Sequence, residues 1–409
     1  MKKNTGLSGV LWDESYLWGI WLIDALTRTN IGFELIKAKD LEQLDKYRIL
    51  FVPGGWASNK IKAIGEEGSK LIKEFVKEGG IYFGICGGAG LATKEGLGLV
   101  DVRRKKDRVP SFSGPFLARI FDHPLWKGIT TPNFFLWWPS ELELEDKNIK
   151  VLATFLAPLP NAFSSDIPVQ DFKDLWDELE SLYEIKLNPK EMENSPLFLE
   201  AKLEKGTVYL SLIHFDTPKD KSGHKVLKNL KEYYQLSENK QRNSYKKLVN
   251  NETVDQEKIK IIDEMYKEIK KLISFCERNF LLIKRYNFMY QWRRGIRGFE
   301  YINLYFMIKR LQKETIENQW LLSFIDIKKL IELRNEIKIF IKKATELLKK
   351  ERILLQKSKL TYNYTEDEEI NSIRKELFGS RKSYDGFYKQ LIDKFDDQLY
   401  TLFKVKFNN

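Results

Sequence analysis

The chain has 409 residues, a length that corresponds to two or three domains of ordinary size. Hydrophobic residues make up 43% of it and charged residues 31%, so it can bury real cores beneath a strongly charged surface. The two cysteines, Cys86 and Cys276, exclude a disulfide-rich framework, and we expect a cytoplasmic protein without a secretion signal or a membrane span.

Basic charge is concentrated in the second part of the chain. Residues 1–240 carry 33 basic and 34 acidic side chains, whereas residues 241–409 carry 36 and 24, a net of +12. Together with a polar run over 236–247 that is typical of a linker, this asymmetry predicts a domain over 1–238 and a basic helical domain over 245–409.

The first domain alternates two kinds of segment. Short apolar runs predict strands over 8–12, 33–37, 48–52, 81–85 and 206–213, and periodic runs predict helices over 15–29, 60–78, from 87 onwards and over 223–235. This alternation predicts a parallel sheet with helices on both faces, and such sheets hold ligands at the carboxyl ends of their strands. Two glycine-rich turns fall there, Pro53-Gly54-Gly55 and Cys86-Gly87-Gly88.

The segment between these strands, residues 101–200, has no clear periodicity. It holds a basic run over 103–106, an aromatic cluster over 134–138 and an acidic stretch over 171–180. We interpret the basic run as a solvated turn, because no glycine-rich phosphate loop accompanies it. The aromatic cluster is more typical of a core or a domain contact than of a ligand site.

Cys86 lies at the corner between a strand and a helix. Gly84 and Gly88 flank it at two positions on each side, which makes the Gly-x-Cys-x-Gly form of a nucleophile elbow. Such a corner residue is held in a strained conformation, its thiol lies over a helix N-terminus that favours thiolate, and the N–H of Gly87 can face an oxyanion. A small buried cysteine retained for packing is the alternative.

A thiol nucleophile needs a base and a group that orients it. The chain has three histidines, and His214 follows the last predicted strand, two residues before Asp216. On extended backbone these two side chains share a face, so Asp216 could orient the imidazole. We interpret His123 as a surface or turn residue and His224 as a solvated residue at the start of a helix.

These segments together resemble the class I glutamine-amidotransferase-like superfamily, and most closely the N-terminal type of biotin-protein ligase. The segments that carry the resemblance are VPGGW, GGIYFGICGGAG, GPFLARIFDHPLW and GTVYLSLIHFD, and it covers about 230 residues. It implies a flavodoxin-like fold with Cys86 as nucleophile, His214 as base and Asp216 as orienting acid. It also implies an oxyanion hole formed by the N–H groups of Gly55 and Gly87.

The resemblance has limits. Asp216 stands where the family has the longer glutamate, and neither a glutamine-pocket pattern nor the adenylate loop of a biotin-ligase catalytic domain is present. Trp56, next to the Pro-Gly-Gly turn, and Glu14, at the end of the first strand, are candidates for substrate contact. Core packing is an equal alternative for Trp56, and a helix N-terminal charge is the favoured interpretation of Glu14.

Residues 245–409 carry no catalytic signature. Long proline-free runs with apolar residues at three- and four-residue steps predict an all-α bundle or coiled-coil-like domain, with a break at Gly295 and Gly298. Cys276 fits this periodicity and is expected to be buried and inert. The basic and aromatic stretch over 285–297 could bind single-stranded nucleic acid, but a core stripe with snorkelling cations is favoured, and docking of a protein partner or self-association is the preferred role.

The sequence therefore supports two main hypotheses. The first is a Cys-His-Asp hydrolase or amidotransferase-like protein that attacks an amide- or ester-like carbonyl of an unidentified small or peptide-like substrate, with no metal or organic cofactor implied. The second is a catalytically inactive amidotransferase-like binding module, with the helical domain used for assembly.

Overall fold

The computed structural model of the protein describes residues 6–106, 108–109, 111–239, 255–357, 360–361 and 365–408. The chain forms two compact units, residues 1–240 and residues 241–409. Of the linker predicted over 236–247, the part from residue 240 onwards lies outside the described residues. No helix among the residues described combines the length and the apolar character that a membrane span requires.

The described part of the first unit contains both strands and helices. The strands are β1 Ser8–Leu11, β2 Phe33–Ile36, β3 Ile49–Val52, β4 Ile81–Ile85, β5 Val102–Arg104, β6 Phe112–Ile120, β7 Asn133–Trp137, β8 Leu142–Leu144, β9 Lys150–Pro158, β10 Phe163–Ser164, β11 Ile167–Pro168, β12 Pro196–Leu203 and β13 Gly206–Ser211. The helices are α1 Tyr16–Arg28, α2 Ala57–Lys77, α3 Gly87–Ala92, α4 Trp176–Tyr183 and α5 Lys221–Tyr234.

Eleven of these strands form one mixed sheet in the order β11-β10-β6-β9-β12-β13-β4-β3-β1-β2, with β7 paired to β6. The five strands from β13 to β2 run parallel to one another. Every residue of β1, β3 and β4 is buried, which is why they are short continuous apolar runs and not alternating ones. The order 2-1-3-4 followed by the last parallel strand is the flavodoxin-like order, so the predicted α/β fold is confirmed.

The antiparallel half of the sheet comes from the segment that showed no clear periodicity in the sequence. Strands β6, β9 and β12 pair antiparallel, and the pairing register shifts at Leu117/Ala118 in β6 and twice between Pro196 and Leu199 in β12. These irregularities interrupt the two-residue alternation by which a strand is recognised. Strands β5 and β8 form a separate two-stranded ribbon.

The second unit is mainly helical. Its described helices are α6 Gln256–Arg278, α7 Gly298–Glu317, α8 Ile327–Leu354, α9 Glu368–Phe378 and α10 Gly386–Phe407. The predicted helical character of this part is confirmed, but the helical pattern, expected to continue to the break at Gly295, ends as a helix at Arg278. An antiparallel hairpin follows, formed by β14 Leu282–Tyr286 and β15 Met289–Trp292. The β-branched and aromatic residues of this stretch favour a strand. The change from the helical to the two-residue period is hard to detect in the sequence because a long helical pattern precedes it.

This unit contains two buried ion pairs, one at the start of α7 and one that joins α8 to α9. Arg297 bonds Glu300 at 2.5 Å on α7, and Arg374 of α9 bonds Glu351 of α8 at 2.8 Å. Burial raises the pKa of Glu351 to about 7, against the opposing charge of Arg374. Arg374 also donates to the backbone oxygens of Thr361 and Gly295, so this guanidinium holds α9 to the turn before α7.

Candidate active site

Cys86 lies at the corner between β4 and α3, and its backbone there is strained. Its φ of +49° and ψ of −101° fall in a region that residues with a side chain rarely adopt. The Cys86 N–H donates to the oxygen of Ser211 at 2.7 Å, which ties the corner to the end of β13. A Cβ atom added to Gly88 would lie 2.0 Å from the backbone oxygen of Val52, so glycine is required on the helical side of the corner. The sulfur therefore lies at the carboxyl edge of the parallel strands.

The Pro-Gly-Gly turn after β3 contacts the elbow through backbone alone. A Cβ on Gly87 would lie 1.8 Å from the oxygen of Gly55. Gly55 has φ +120°, and its own Cβ would lie 2.3 Å from the oxygen of Glu14. Among the described residues, neither Gly55 nor Gly87 has a backbone acceptor for its N–H. Two such N–H groups next to a thiol have the chemistry of an oxyanion hole.

His214 and Asp216 are hydrogen bonded to each other. Nδ1 of His214 lies 2.9 Å from Oδ1 of Asp216, and both side chains are fully buried. The predicted strand over 206–213 ends at Ser211, however, and the pair lies in a turn closed by a bond from the N–H of Thr217 to the oxygen of His214. The expectation that alternate residues of a strand would bring the two side chains together was wrong. The turn brings them together and directs Phe215, between them, into the core.

The electrostatics of the pair favour a charged imidazole. Burial lowers the pKa of His214, but the charge and hydrogen bond of Asp216, and after them Cys86, outweigh burial and raise it to about 9. Nε2 of His214 makes no hydrogen bond of ordinary geometry to any described residue. The thiol of Cys86 is nonetheless among the groups that raise the pKa of His214, so it lies near this ring. The direction of this shift favours the protonated form of the ring.

Tryptophans surround this imidazole. The ring of Trp18 lies 4.7 Å from that of His214 at a tilt of 41°, and Trp21 approaches its edge at 6.4 Å. Sγ of Cys86 lies 3.8 Å from the backbone oxygen of Trp137, whose indole N–H donates to Thr217. These rings exclude water from the imidazole and leave the thiol as the partly exposed member of the pair.

The two residues predicted to contact substrate lie next to the Pro-Gly-Gly turn. Glu14 has φ +57°, and its carboxylate accepts from the hydroxyl of Tyr16 at 2.9 Å. Trp56 directly precedes α2 and is 37% exposed. Trp56 is thus accessible at the rim, whereas Glu14 contacts the turn through its backbone oxygen.

The other two histidines differ from expectation. His123, interpreted from the sequence as a surface or turn residue, directly precedes the short 3-10 helix Pro124–Trp126 but is buried; Nδ1 accepts the N–H of Leu125, and Nε2 lies 3.6 Å from Glu200. His224, expected to be solvated, is half-buried in the first turn of α5, and burial lowers its pKa. His123 therefore has structural surroundings of its own, whereas His224 lies near enough to Asp216 for that charge to act on its pKa.

The basic run over 103–106 lies partly on β5 and faces an acidic neighbour. Arg103 bonds Glu145 at 2.7 Å and Lys105 bonds Glu141 at 3.3 Å. The run is therefore part of a surface ion-pair network, as expected for a solvated segment. Among the residues described, no group of three or more His, Cys, Asp or Glu side chains could hold a metal ion.

Sequence reasoning missed two residues of this site, Trp18 and Lys60. Lys60 is fully buried beneath the Pro-Gly-Gly turn. It lies on the inward face of α2, four residues before Ile64, and a lysine at that place in an apolar stripe was the available signal. Trp18 gave no signal, because one more apolar residue in α1 is indistinguishable from core.

Comparison with known proteins agrees with the resemblance inferred from the motifs. Residues 38–96 match the family model described as the N-terminal region of biotin-protein ligase, a match that includes the Pro-Gly-Gly turn and the elbow. No curated protein matches the sequence significantly.

Among solved structures, the chain is similar to PurLQS from Thermotoga maritima, with 12% identity and a TM-score of 0.40 over 56% of this chain and 98% of that one. It is similar to a glutamine amidotransferase, with 18% identity and a TM-score of 0.37 over 56% and 96% of the two chains. It is also similar to a β-galactosidase from Bacillus circulans, with 13% identity and a TM-score of 0.37 over 57% and 31%. At these identities the similarity concerns the fold alone.

Proposed function

We propose that the first unit is a cysteine-dependent acyl-transfer enzyme of the amidotransferase-like kind, with Cys86 as nucleophile, His214 as proton carrier and Asp216 as its orienting group. One observation carries the proposal: the imidazole of His214 is held by a buried carboxylate at Nδ1, its Nε2 has no hydrogen-bond partner among the described residues, and the thiol on the strained elbow helps to raise its pKa. Packing alone has no need of that combination.

The proposed reaction begins from a thiolate and an imidazolium. The sulfur of Cys86 attacks the carbonyl carbon of an amide- or ester-like substrate, and the carbonyl electron pair moves to oxygen. The N–H groups of Gly55 and Gly87 stabilise that oxyanion. When it collapses, the bond to the leaving group breaks, and His214 gives its Nε2 proton to the departing amine or alcohol.

The resulting thioester is resolved by water or by an amine. His214, now neutral, removes a proton from the attacking molecule, and a second oxyanion forms and collapses with release of the acyl product and the thiolate. Asp216 keeps Nδ1 protonated throughout, so that Nε2 is the nitrogen that exchanges protons. No group other than these side chains and backbone donors is needed.

Alkylation of Cys86 by iodoacetamide as a function of pH tests this proposal, in a Cys276→Ser background with His214→Ala for comparison. A primed nucleophile reacts rapidly at pH 6 to 7, where an ordinary thiol, which ionises near pH 8.5, reacts slowly. His214→Ala should shift the profile to that of an ordinary thiol. A slow profile that is indifferent to His214→Ala would contradict the catalytic proposal.

A second candidate is a binding module without turnover, favoured by one specific contact. Sγ of Cys86 lies 3.8 Å from the oxygen of Trp137, and a bond of that kind requires a protonated thiol. In this case the helical unit would supply docking or self-association, for which Phe280 and Ile353, 70% and 58% exposed, offer apolar surface. The same alkylation profile separates the two candidates, because a thiol bonded to that carbonyl reacts as an ordinary one.

A further inference from the structure

The loop that follows β1 is strained on both sides of Ser15. Glu14 has φ +57° and Tyr16 has φ +48°, and residues other than glycine adopt such values at a cost. The oxygen of Glu14 lies against Gly55, at 2.3 Å from where a Cβ would stand. The loop therefore packs against the Pro-Gly-Gly turn that contacts the elbow, and its strained backbone needs contacts that hold it in this conformation.

Lys60 holds it. This side chain of α2 is fully buried, and its Nζ donates to the backbone oxygen of Asp13 at 2.8 Å and to Oγ of Ser15 at 2.7 Å. Ser15 in turn donates to the backbone oxygen of Leu11 at 3.1 Å. The ammonium thus connects the helix after the Pro-Gly-Gly turn to both sides of the strained loop.

The ammonium also lies close to the proposed oxyanion site. Cε of Lys60 is 3.3 Å from the position that a Cβ would take on Gly55. Burial of a charged amine is costly unless its surroundings use the charge. Asp13 is near, but burial raises the pKa of its carboxyl despite the N–H of Ala38 and the charges of Lys37 and Lys60. Lys60 therefore lies in a little-hydrated region next to Gly55.

We propose that Lys60 is a positioning residue of the oxyanion site, which fixes the loop 13–16 under Gly55 and places a positive charge behind the N–H that binds the developing oxyanion. This role rests on the proposed function. It predicts that Lys60 affects steps that form an oxyanion and does not affect displacement reactions of the Cys86 sulfur, because alkylation forms no oxyanion.

The experiment compares two reactions of Cys86 in the full chain. Alkylation by iodoacetamide reports the sulfur alone, whereas acylation by p-nitrophenyl acetate, followed by release of p-nitrophenol, passes through a tetrahedral oxyanion. Lys60→Met should slow Cys86-dependent acylation about tenfold or more, since loss of a direct oxyanion donor costs about a hundredfold or more, and should change alkylation less than about threefold. Lys62→Met, an exposed lysine of the same helix, is the matched control and should change neither rate.

Three other results would overturn the inference. Equal acylation rates in Lys60→Met and the unsubstituted protein would overturn the role of Lys60 while leaving the proposed function intact. Parallel losses of acylation and alkylation would mean that Lys60 is merely structural. Absence of Cys86-dependent acylation in the unsubstituted protein, with an ordinary alkylation profile, would overturn the proposed function together with this role.

A thermal melt shows whether Lys60→Met folds. If it does not, Ser15→Ala decides, because it removes one acceptor of Nζ and keeps the ammonium. Ser15→Ala should slow acylation more than alkylation, by a smaller factor than Lys60→Met would. If both rates equal those of the unsubstituted protein, the inference is overturned.

Discussion

Replacement of Asp216 by asparagine removes one charge from the site and little else. A pKa of His214 raised from 6.5 to about 9 corresponds to about 3 kcal/mol in favour of the imidazolium. Both side chains are fully buried, so water screens little of this interaction. Without the Asp216 charge, burial dominates and leaves the imidazole neutral at pH 7. We therefore expect alkylation of Cys86 at pH 7 to fall by about tenfold to a hundredfold.

The assay is the iodoacetamide rate between pH 5.5 and 9.5 in the Cys276→Ser background. Glu141→Gln is the matched control, since it neutralises another buried carboxyl of the first unit, one that is paired with Lys105 and not with His214. An alkylation profile that Asp216→Asn leaves unchanged would refute the argument that the Asp216 charge raises the pKa of His214. That result would not by itself decide whether Cys86 is catalytic.

Stability gives an independent measurement of the same interaction. Because the folded-state pKa of His214 is the higher one, the stabilisation is complete below pH 6.5 and is lost as pH rises through about 9. In a Cys86→Ser background, which removes the contribution of the thiol to this pKa, the free energy of unfolding should still fall across that window, by less than the about 3 kcal/mol that the full shift represents. The fall should vanish when Asp216→Asn is added.

Three further expectations concern glycine, a buried carboxyl and the second thiol. Gly87→Ala should lower the free energy of unfolding of the first unit by about 3 kcal/mol or more in denaturant, because the added Cβ would lie 1.8 Å from a backbone oxygen. Gly90→Ala, whose Cβ would make only ordinary contacts, should be tolerated. Equal losses of stability in the two variants would contradict this expectation. Glu351, with a folded-state pKa of about 7 above its ordinary value, should make the helical unit less stable as pH rises from 4.5 to 7, by up to about 3 kcal/mol, and Glu351→Gln should flatten that slope. Burial raises the pKa of Cys276, so the folded protein should take up one equivalent of iodoacetamide, at Cys86, and mass spectrometry showing two would refute this.

The parallel half of the sheet could be predicted because its signals are local. Strand β4 spans Ile81–Ile85 as predicted, and β1 and β3 differ from the prediction by one residue each. A fully buried parallel strand is a short apolar run closed by glycine, and its pairing follows from chain order. The elbow was also a local pattern, since the residues that Cys86 requires are its own neighbours.

The antiparallel half could not be predicted in this way. Strands β6, β9 and β12 pair over long separations, and the bulges at Leu117 and Phe198 break the alternation that would identify them. The hairpin Leu282–Trp292 was missed for a related reason, because it follows a long helical pattern without a proline to mark the boundary. The buried positions of His123 and Lys60 depend on which faces of distant elements meet, and that information is not local in the sequence.

The turn at His214 also bears on the shorter acid in this chain. On extended backbone, residues two apart have Cα atoms about 6.6 Å from each other, a span for which glutamate has the advantage. In the turn from His214 to Thr217, the Cα atoms of the first and fourth residues lie within about 7 Å of each other. The Cα atoms of His214 and Asp216, only two residues apart, are therefore closer together than on extended backbone. Asp216 accordingly reaches Nδ1 at 2.9 Å without the extra methylene. The place where β13 ends therefore determines which acid can reach the imidazole. Because β13 ends at Ser211, a turn follows it, and in that turn an aspartate is long enough to bond Nδ1 of His214.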